Sequence, residues 1–436
     1  MFNRKIIRYL KLWKEKKNRK PLIIRGARQI GKTSAVEMFA KENFDNYVYI
    51  NMEDPDDANN FEGEISLSNF EKQVQVFKHK KLTPDTLIFI DEIQQNPHLI
   101  SLLRFFYEKR PDLYVISAGS LLEIKLKQAK ISMPVGRTEY IFMYPLDFFE
   151  YLEAKNEKEL LNYLQNIKLG EKIIDSIHNK TMEFFKEYIL IGGMPEAVKN
   201  FIENGDFDSV QSVYSSLMKN FLDDINKYAS KSEIEYLTKI LNQSPFYSGS
   251  KIKYENFGNL GIKSREVSNA MDILKNAMLI NLIDSTNSTK IPLQEKSKRA
   301  KKLLFLDVGF YNYVYKVPFN VDIQNLESFY RGNIFEQVVG ENIIAQDLHG
   351  DLDLFYWAID QDKGSAEVDF CFSKGLNIYG IEVKSGNNQI SKSLLSFAKK
   401  APHCKLIKFH TGNTYIDHKN NILNLPVYLC SRINEI

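Results

Sequence analysis

A glycine-bracketed octapeptide near the start of the chain has the residue types of a phosphate-binding loop. It follows the pattern Gly-x-x-x-x-Gly-Lys-Thr and ends at Lys32 and Thr33. The two glycines let the backbone approach an anion closely, and the N–H groups of the loop and of the following helix face the phosphates. The lysine is expected between the β- and γ-phosphates, and the threonine hydroxyl is expected to bind Mg²⁺. We therefore predict an Mg-ATP site formed by Gly26, Ala27, Arg28, Gln29, Ile30, Gly31, Lys32, Thr33 and Ser34.

Two acidic residues complete this predicted chemistry. Asp91 and Glu92 directly follow the apolar run Leu87–Ile90. Ligands of open α/β sheets bind at the carboxyl ends of the strands, so Asp91 is expected in the Mg²⁺ shell together with Thr33. Glu92 is expected to polarise the attacking water as the general base.

Two further polar residues could assist hydrolysis, and each has a structural alternative. Ser120 follows the next apolar run and could sense the γ-phosphate and the water, with Ser117 as the second choice, but either could belong to a strand-to-loop turn. Arg137 could neutralise transition-state charge as an arginine finger or could form a structural ion pair. A finger acting in trans would require a homo-oligomer.

A second set of charged residues lies near the C-terminus. Asp369 lies in one strand-like run, and Glu382 and Lys384 lie in the next. Since strand side chains alternate with period two, Glu382 and Lys384 share a face, and Asp369 can meet Glu382 across a hairpin. Two carboxylates can hold Mg²⁺, and Glu336 on an upstream helix can join them. Glu336, Asp369, Glu382 and Lys384 are therefore a candidate nuclease site, although the same residues could form structural ion pairs or serve only for binding.

The elements that must position these residues change in type along the chain. Continuous apolar runs indicate strands that are covered on both faces, as in a parallel α/β sheet. Four such runs are Pro21–Arg25, Tyr47–Asn51, Leu87–Asp91 and Leu113–Ser117. Residues 150–230 have a helical pattern. Helices near Glu233–Gln243, Tyr254–Leu260 and Ser264–Met278, followed by a hairpin from Leu279 to Phe305, outline a winged helix.

Composition limits the class of protein. The 436 residues are 44% hydrophobic and 26% charged, with three cysteines and a net charge of +3, which is typical of a globular protein of several domains without a disulfide framework. No apolar run approaches the length of a membrane span, and Met1–Lys20 lacks the apolar core and the cleavage site of a signal peptide, so we expect a cytoplasmic protein without a membrane partner. Arg4–Lys20 holds nine basic residues and one acidic residue, with apolar residues at helical spacing. It could be a helix packed on the core or a contact to a phosphate backbone.

Together these motifs resemble the prokaryotic AAA-superfamily ATPases of archaea and bacteria. The resemblance rests on the phosphate loop, Ile90–Gln94, Gly119-Ser120, Gly136-Arg137, Tyr144–Phe148 and the helical-region signature Gly192–Ala197. The C-terminal stretch looks like the restriction-endonuclease-like region of unknown function that follows in that family. The resemblance implies an α/β fold with four parts: a P-loop ATPase core with a parallel sheet at 1–155, a helical region at 156–230, a winged-helix-like domain at 231–318 and a PD-(D/E)xK nuclease-like domain at 319–436.

Two functions fit these predictions, both with ATP and Mg²⁺ as cofactors. The first is a DNA-associated ATPase with a nuclease-like C-terminal domain. Lys263, Arg265 and Lys275, and the basic run Lys296–Lys302, could contact DNA in that case. The second is a regulatory or signalling ATPase whose C-terminal half binds a protein partner and cleaves nothing.

Overall fold

A computed structural model describes residues 1–120, 122–129, 131–134, 136–226, 230–318, 333–359, 365–384, 391–401 and 403–436. The chain forms two compact units. The first comprises Met1–Tyr144 with Asn276–Met278 and Leu348–Gly350, and the second comprises the other described residues. The first fourteen residues of the predicted fourth domain, 319–332, lie outside the described part of the chain.

The first unit alternates strands with helices. Its described strands are β1 (Leu22–Arg25), β2 (Tyr47–Asn51), β3 (Leu87–Asp91), β4 (Tyr114–Gly119) and β5 (Glu139–Phe142). Its described helices are α1 (Lys5–Glu15), α2 (Lys32–Asn43), α3 (Pro55–Asn60), α4 (Leu67–Phe77), α5 (Pro97–Lys109) and α6 (Leu122–Ala129). A 3₁₀ turn, Ile93–Gln95, follows β3.

The five strands form one parallel sheet in the order β2-β3-β4-β1-β5. Every residue of β3 and of β4 is buried, as continuous apolar runs predict for strands that are covered on both faces. The predicted strands and the parallel sheet are confirmed. Because β1 and β3 both end at the same edge of the sheet, the residues that follow them can share one site.

The second unit begins with helices that surround a buried carboxylate. Its described helices are α7 (Phe148–Ala154), α8 (Lys158–Asn166), α9 (Asp175–Ile191), α10 (Pro195–Asn204), α11 (Phe207–Asn226), α12 (Lys231–Gln243), α13 (Ser264–Asn276), α14 (Val308–Tyr315), α15 (Asn333–Ala345) and α16 (Lys392–Lys400). Asp307 accepts hydrogen bonds from the Gly193 N–H at 2.5 Å and from the Tyr214 hydroxyl at 2.6 Å. The turn in the Gly192–Ala197 signature is therefore hydrogen-bonded to an aspartate that is distant in sequence.

The strands of the second unit form a single mixed sheet. They are β6 (Ser250–Ile252), β7 (Ile280–Thr286), β8 (Lys301–Phe305), β9 (Phe355–Ala358), β10 (Glu367–Lys374), β11 (Asn377–Val383), β12 (Lys405–His410), β13 (Tyr415–Asp417) and β14 (Ile422–Pro426). Among the described residues their order is β13-β14-β12-β11-β10-β9-β7-β8-β6. Strand β7 pairs with β8 on one side and with β9 on the other, so the predicted hairpin continues into the C-terminal strands.

The winged-helix outline is only partly reproduced. The hairpin β7–β8 is antiparallel, and α12 and α13 lie where the first and third helices were expected. The predicted second helix at Tyr254–Leu260 is wrong, because only a 3₁₀ turn, Phe257–Asn259, forms there and Gly258 has a non-helical φ of 63°. Assignment of this region as a winged helix stays a prediction.

No helix in the described ranges is both long enough and apolar enough to cross a bilayer.

Candidate functional site

The loop from Gly26 to Lys32 connects the end of β1 to the start of α2. An added Cβ at Gly26 would lie 2.2 Å from Ile30 Cδ1 and 2.5 Å from the Met143 carbonyl oxygen, so only glycine fits there. Gly31 has a φ of 92° and directly precedes the helix, a conformation that favours glycine. Glycine is thus required at the two positions for different reasons. At Gly26 the reason is the close approach of other atoms, and at Gly31 it is the left-handed backbone conformation.

Lys32 is buried at the start of α2. Its Nζ donates to the carbonyl oxygens of Gly26 at 3.0 Å and of Ala27 at 2.8 Å. Burial lowers the pKa of Lys32, and the nearby carboxylates of Glu92 and Asp91 partly offset that effect. The ammonium therefore lies inside the loop, where a bound anion would favour its charged form.

Thr33 and Asp91 meet across two elements. The Thr33 hydroxyl, in the first turn of α2, donates to Asp91 Oδ2 at 2.6 Å, and Asp91 is the last residue of β3. Burial raises the pKa of Asp91, and the Thr33 hydrogen bond lowers it again in part. A hydroxyl and a carboxylate oxygen at one point are the ligand types that Mg²⁺ takes when a nucleotide supplies the rest. These two residues therefore fit the predicted magnesium position.

Glu92 follows Asp91 in the left-handed conformation, with a φ of 49°. Its backbone N–H donates to Asp91 Oδ1 at 3.0 Å, and its carboxylate Oε2 accepts a hydrogen bond from the side-chain amide of Gln94. Glu92 thus lies at the edge of the sheet where the loop also lies, and its role as a general base stays a prediction.

Ser117, within β4, and Ser120, just after it, differ in their surroundings. Ser117 is fully buried within the strand, and its hydroxyl donates to the Leu22 carbonyl at 3.4 Å, which favours its structural alternative. Ser120 follows Gly119, which pairs with Arg25 in the sheet. Ser120 therefore lies next to the beginning of the phosphate loop, and its sensor role stays a prediction.

Arg137 forms an ion pair with Glu108 near the end of α5, with Nε 2.6 Å from the carboxylate. Arg104 contacts the same carboxylate at 2.9 Å. These contacts within one chain support the alternative that Arg137 forms a structural ion pair. A role as an arginine finger towards a neighbouring chain stays a prediction.

Sequence reasoning missed two residues that contact the site. The Tyr49 hydroxyl donates to Asp91 Oδ2 at 3.4 Å from the neighbouring strand β2. Arg4, which is 6% exposed, donates to the Ile30 carbonyl of the loop at 2.9 Å and to the Tyr144 carbonyl at 2.6 Å. Tyr49 lies in the predicted strand Tyr47–Asn51, whereas nothing in the local sequence points to Arg4.

The basic N-terminal segment is a helix packed on the core. Ile6, Ile7, Leu10 and Trp13 of α1 are buried. Several of its basic residues also have structural partners. Lys14 donates to the Asn43 carbonyl at 2.6 Å, and Lys16 pairs with Glu139 at 2.6 Å. The packed-helix alternative is therefore the one that the structure supports.

The C-terminal candidate residues come together as far as the hairpin predicts. Strands β10 and β11 are antiparallel with Phe370 opposite Ile381, so Asp369 is next in register to Glu382. Asp369 Oδ2 accepts the Val383 N–H at 2.8 Å, and Lys384 Nζ lies 2.9 Å from Glu382 Oε1. Glu382 is 4% exposed. The contact agrees with the expectation that Glu382 and Lys384 share a face, and the nuclease role of the set stays a prediction.

Lys302, a member of the basic run that could contact DNA, lies among these carboxylates. Lys302, on β8, is 1% exposed, and its Nζ lies 2.5 Å from Glu336 Oε2 and 3.0 Å from the Asp369 carbonyl oxygen. Burial alone would lower the pKa of Lys302, but Glu336 and Asp369 raise it above its usual value. An ammonium ion therefore lies between two of the proposed metal ligands.

Three basic residues of Lys296–Lys302 have internal partners, which disfavours the alternative that these three contact DNA. Lys301 pairs with Asp284, and Arg299 donates to the carbonyl oxygens of Ala358 at 2.7 Å and Ile359 at 3.0 Å. With Lys302 buried among carboxylates, the side chains that remain exposed in this run are Lys296, Ser297 and Lys298.

In this structure the carboxylates of the candidate nuclease site contact lysines. The described residues contain no group of three or more His, Cys, Asp or Glu side chains arranged to hold a metal ion. Around Glu336 and Asp369, Lys302 supplies the positive charge that a metal would supply.

Comparisons with known proteins match three segments of the chain. Residues 18–152 match the family described as AAA domain. Residues 182–320 and 331–428 each match a domain of unknown function, DUF8612 and DUF4143. No curated protein matches the chain.

Among solved structures, the chain is similar to the RuvB Holliday junction branch migration motor of Thermotoga maritima. That similarity has 15% identity and a TM-score of 0.30, and it covers 64% of this chain and 89% of the other. The Aeropyrum pernix ORC1 protein in complex with DNA has 12% identity and a TM-score of 0.29, with 72% and 91% of the two chains covered.

The family match coincides with the five-stranded parallel sheet and with the loop that holds Lys32 and Thr33 beside Asp91. Residues 18–152 are therefore similar to an AAA domain, and they contain both the phosphate-loop motif and the parallel sheet.

Proposed function

We propose that the first unit binds Mg-ATP in the loop Gly26–Ser34 and hydrolyses it with Glu92 as the general base. The observation that carries the proposal is the 2.6 Å contact between the Thr33 hydroxyl and Asp91, beside the buried ammonium of Lys32. Three residues from two elements thus present one cation and two oxygen ligands at the same edge of the sheet.

Each residue has a separate part in this proposal. The loop N–H groups and Lys32 bind the phosphates, because they offer donors and positive charge within a water-poor site. Thr33 and Asp91 would hold Mg²⁺, which neutralises charge on the phosphates. Glu92 accepts the proton of the attacking water. Ser120 is proposed as the sensor of the γ-phosphate.

Replacement of Lys32 tests the proposal. Lys32→Ala removes the only side-chain ammonium that the described loop contains, so ATP turnover is expected to fall by at least about 100-fold. Lys41→Ala is the matched control, since Lys41 is an exposed lysine of the same helix. Turnover in both variants is measured by phosphate release. Wild-type turnover in Lys32→Ala would refute the assignment of the nucleotide site.

For the C-terminal part of the second unit, we infer that the acidic set is an ion-paired structural cluster and cleaves no DNA. The carrying observation is Lys302, a fully buried lysine bonded to Glu336 and to the backbone of Asp369. This favours the alternative of a regulatory ATPase whose C-terminal half binds a partner. DNA association is a separate proposal, which salt-dependent DNA binding by the whole protein would test.

Removing Lys302 should leave the part-buried Glu336 carboxylate without its cation. Lys302→Ala is therefore expected to lower the free energy of unfolding by about 3–5 kcal/mol, as measured by urea denaturation. The exposed neighbour Lys298→Ala is the control and should change it by less than about 0.5 kcal/mol.

A nuclease assay on the same protein separates the two readings. We expect no Mg²⁺- or Mn²⁺-dependent nicking of plasmid DNA by the wild type. Nicking that EDTA stops, and that Glu382→Ala removes while ATP turnover persists, would establish the nuclease instead.

A further inference from the structure

The turn that follows Asp91 is fixed at both of its ends. At its start, the Glu92 N–H donates to Asp91 Oδ1 at 3.0 Å. At its end, the Asn96 side chain accepts the His98 N–H at 3.1 Å, which begins α5, and donates to the Phe61 carbonyl at 2.7 Å. Glu92 therefore has a defined backbone position, and the direction of its carboxylate depends on what its side chain contacts.

The side chain of Gln94 supplies that contact. Gln94 is 2% exposed, and its amide nitrogen donates to Glu92 Oε2. A hydrogen bond to a carboxylate is stronger than one between neutral groups, so it can hold the carboxylate in one orientation. Because a carboxylate has two oxygens, one can be held in this way while the other accepts a proton from water.

The other end of the Gln94 amide lies against β4. A Cβ added at Gly119, the last residue of that strand, would lie 2.2 Å from Gln94 Oε1. Any side chain at residue 119 would therefore displace Gln94. Within the described residues no group donates a hydrogen bond to this buried carbonyl oxygen, so close packing against Gly119 rather than a second hydrogen bond sets its place.

We propose that Gln94 is the positioning residue for Glu92 and that Gly119 provides the space that it needs. The chain of contacts runs from the end of β4, through the Gln94 amide, to the carboxylate of the base. This inference rests on the proposed hydrolysis of ATP by Glu92. It adds a link between that base and the strand that leads to Ser120.

The test compares two neighbouring glutamines. Gln94→Ala is expected to lower kcat for ATP by about 100-fold with little change in KM or in ATP affinity, because a misplaced base slows the reaction without removing a binding contact. Gln95→Ala is the matched control, since Gln95 lies in the same turn and is exposed. It should leave both constants unchanged. Gln94→Glu keeps the shape but replaces the donor with a like charge, and should behave as Gln94→Ala does.

A substitution at Gly119, in β4, tests the same contact from the opposite side. Gly119→Ala should reproduce the loss in kcat, and the double variant Gly119→Ala/Gln94→Ala should be no slower than Gln94→Ala alone, because both act through one contact. Wild-type kcat in Gln94→Ala, or an equal loss of kcat and of ATP affinity, would overturn the inference while leaving the proposed function in place. Absence of turnover in the wild type would overturn the proposed function, and the inference with it.

Discussion

Burial acts in opposite directions on the two charged residues at the centre of the nucleotide site. It lowers the pKa of Lys32 and raises the pKa of Asp91, so it disfavours the charged form of each. An anion next to the lysine and a cation next to the aspartate would reverse both effects. A magnesium-bound triphosphate supplies both charges, which is a physical reason for this ligand that does not depend on the sequence motif.

The role of Glu92 can be tested without changing its size. Glu92→Gln keeps the shape of the side chain but cannot accept a proton from water, so ATP should still bind while turnover falls by about 10²–10⁴-fold. Binding is measured with labelled ATP and turnover by phosphate release. The exposed residue Glu62 provides a control as Glu62→Gln. Hydrolysis at the wild-type rate in Glu92→Gln would show that another group is the base.

At the scale of elements, helix α1 does more than cover the sheet. Its buried apolar face fixes the helix, and Arg4 at its start reaches the phosphate loop at the Ile30 carbonyl. The same guanidinium holds the Tyr144 carbonyl, just beyond β5. The position of the loop thus depends on an element that the nucleotide motif does not include.

Arg4→Ala is expected to weaken the protein and the nucleotide site together. It removes the charged donor to the buried Ile30 carbonyl and to the part-buried Tyr144 carbonyl, so the free energy of unfolding should fall by about 1–3 kcal/mol. Urea denaturation checks this value, and ATP titration should show weaker binding. Arg8→Ala, at an exposed position of the same helix, is the control. Equal behaviour of the two variants would mean that the Arg4 contacts contribute nothing.

Local sequence patterns predict the elements of this structure that depend mainly on residues close together in the sequence. The strands β1–β4 follow from continuous apolar runs, and Lys32, Thr33 and Asp91 follow from motifs at strand ends. The buried contacts of Arg4 and Lys302 cannot be predicted in this way, because each residue lies in a run of basic residues. Their partners, such as Ile30 and Glu336, are distant in sequence. The fold alone decides whether such a lysine or arginine faces solvent or a buried oxygen.

At the scale of the whole molecule, the two units differ in how their sheets are built. The first has a purely parallel sheet, and the second has a mixed sheet in which β7 pairs with β9. That pairing joins strands on both sides of the predicted domain border at 318–319. The border itself stays a prediction. Since hydrogen-bonded strands of one sheet share a core, we expect the segments 231–318 and 333–436 to fold together.

The most direct test of the nucleotide site asks whether Thr33 and Asp91 bind one and the same Mg²⁺. ATP affinity is measured with and without Mg²⁺ in Thr33→Ala, Asp91→Asn and the double variant. Each single change should reduce the effect of Mg²⁺ by about tenfold or more, and the double variant should lose little beyond that, since both residues act through one ion. Losses that simply add, or an undiminished effect of Mg²⁺ in either single variant, would contradict a shared magnesium nucleotide.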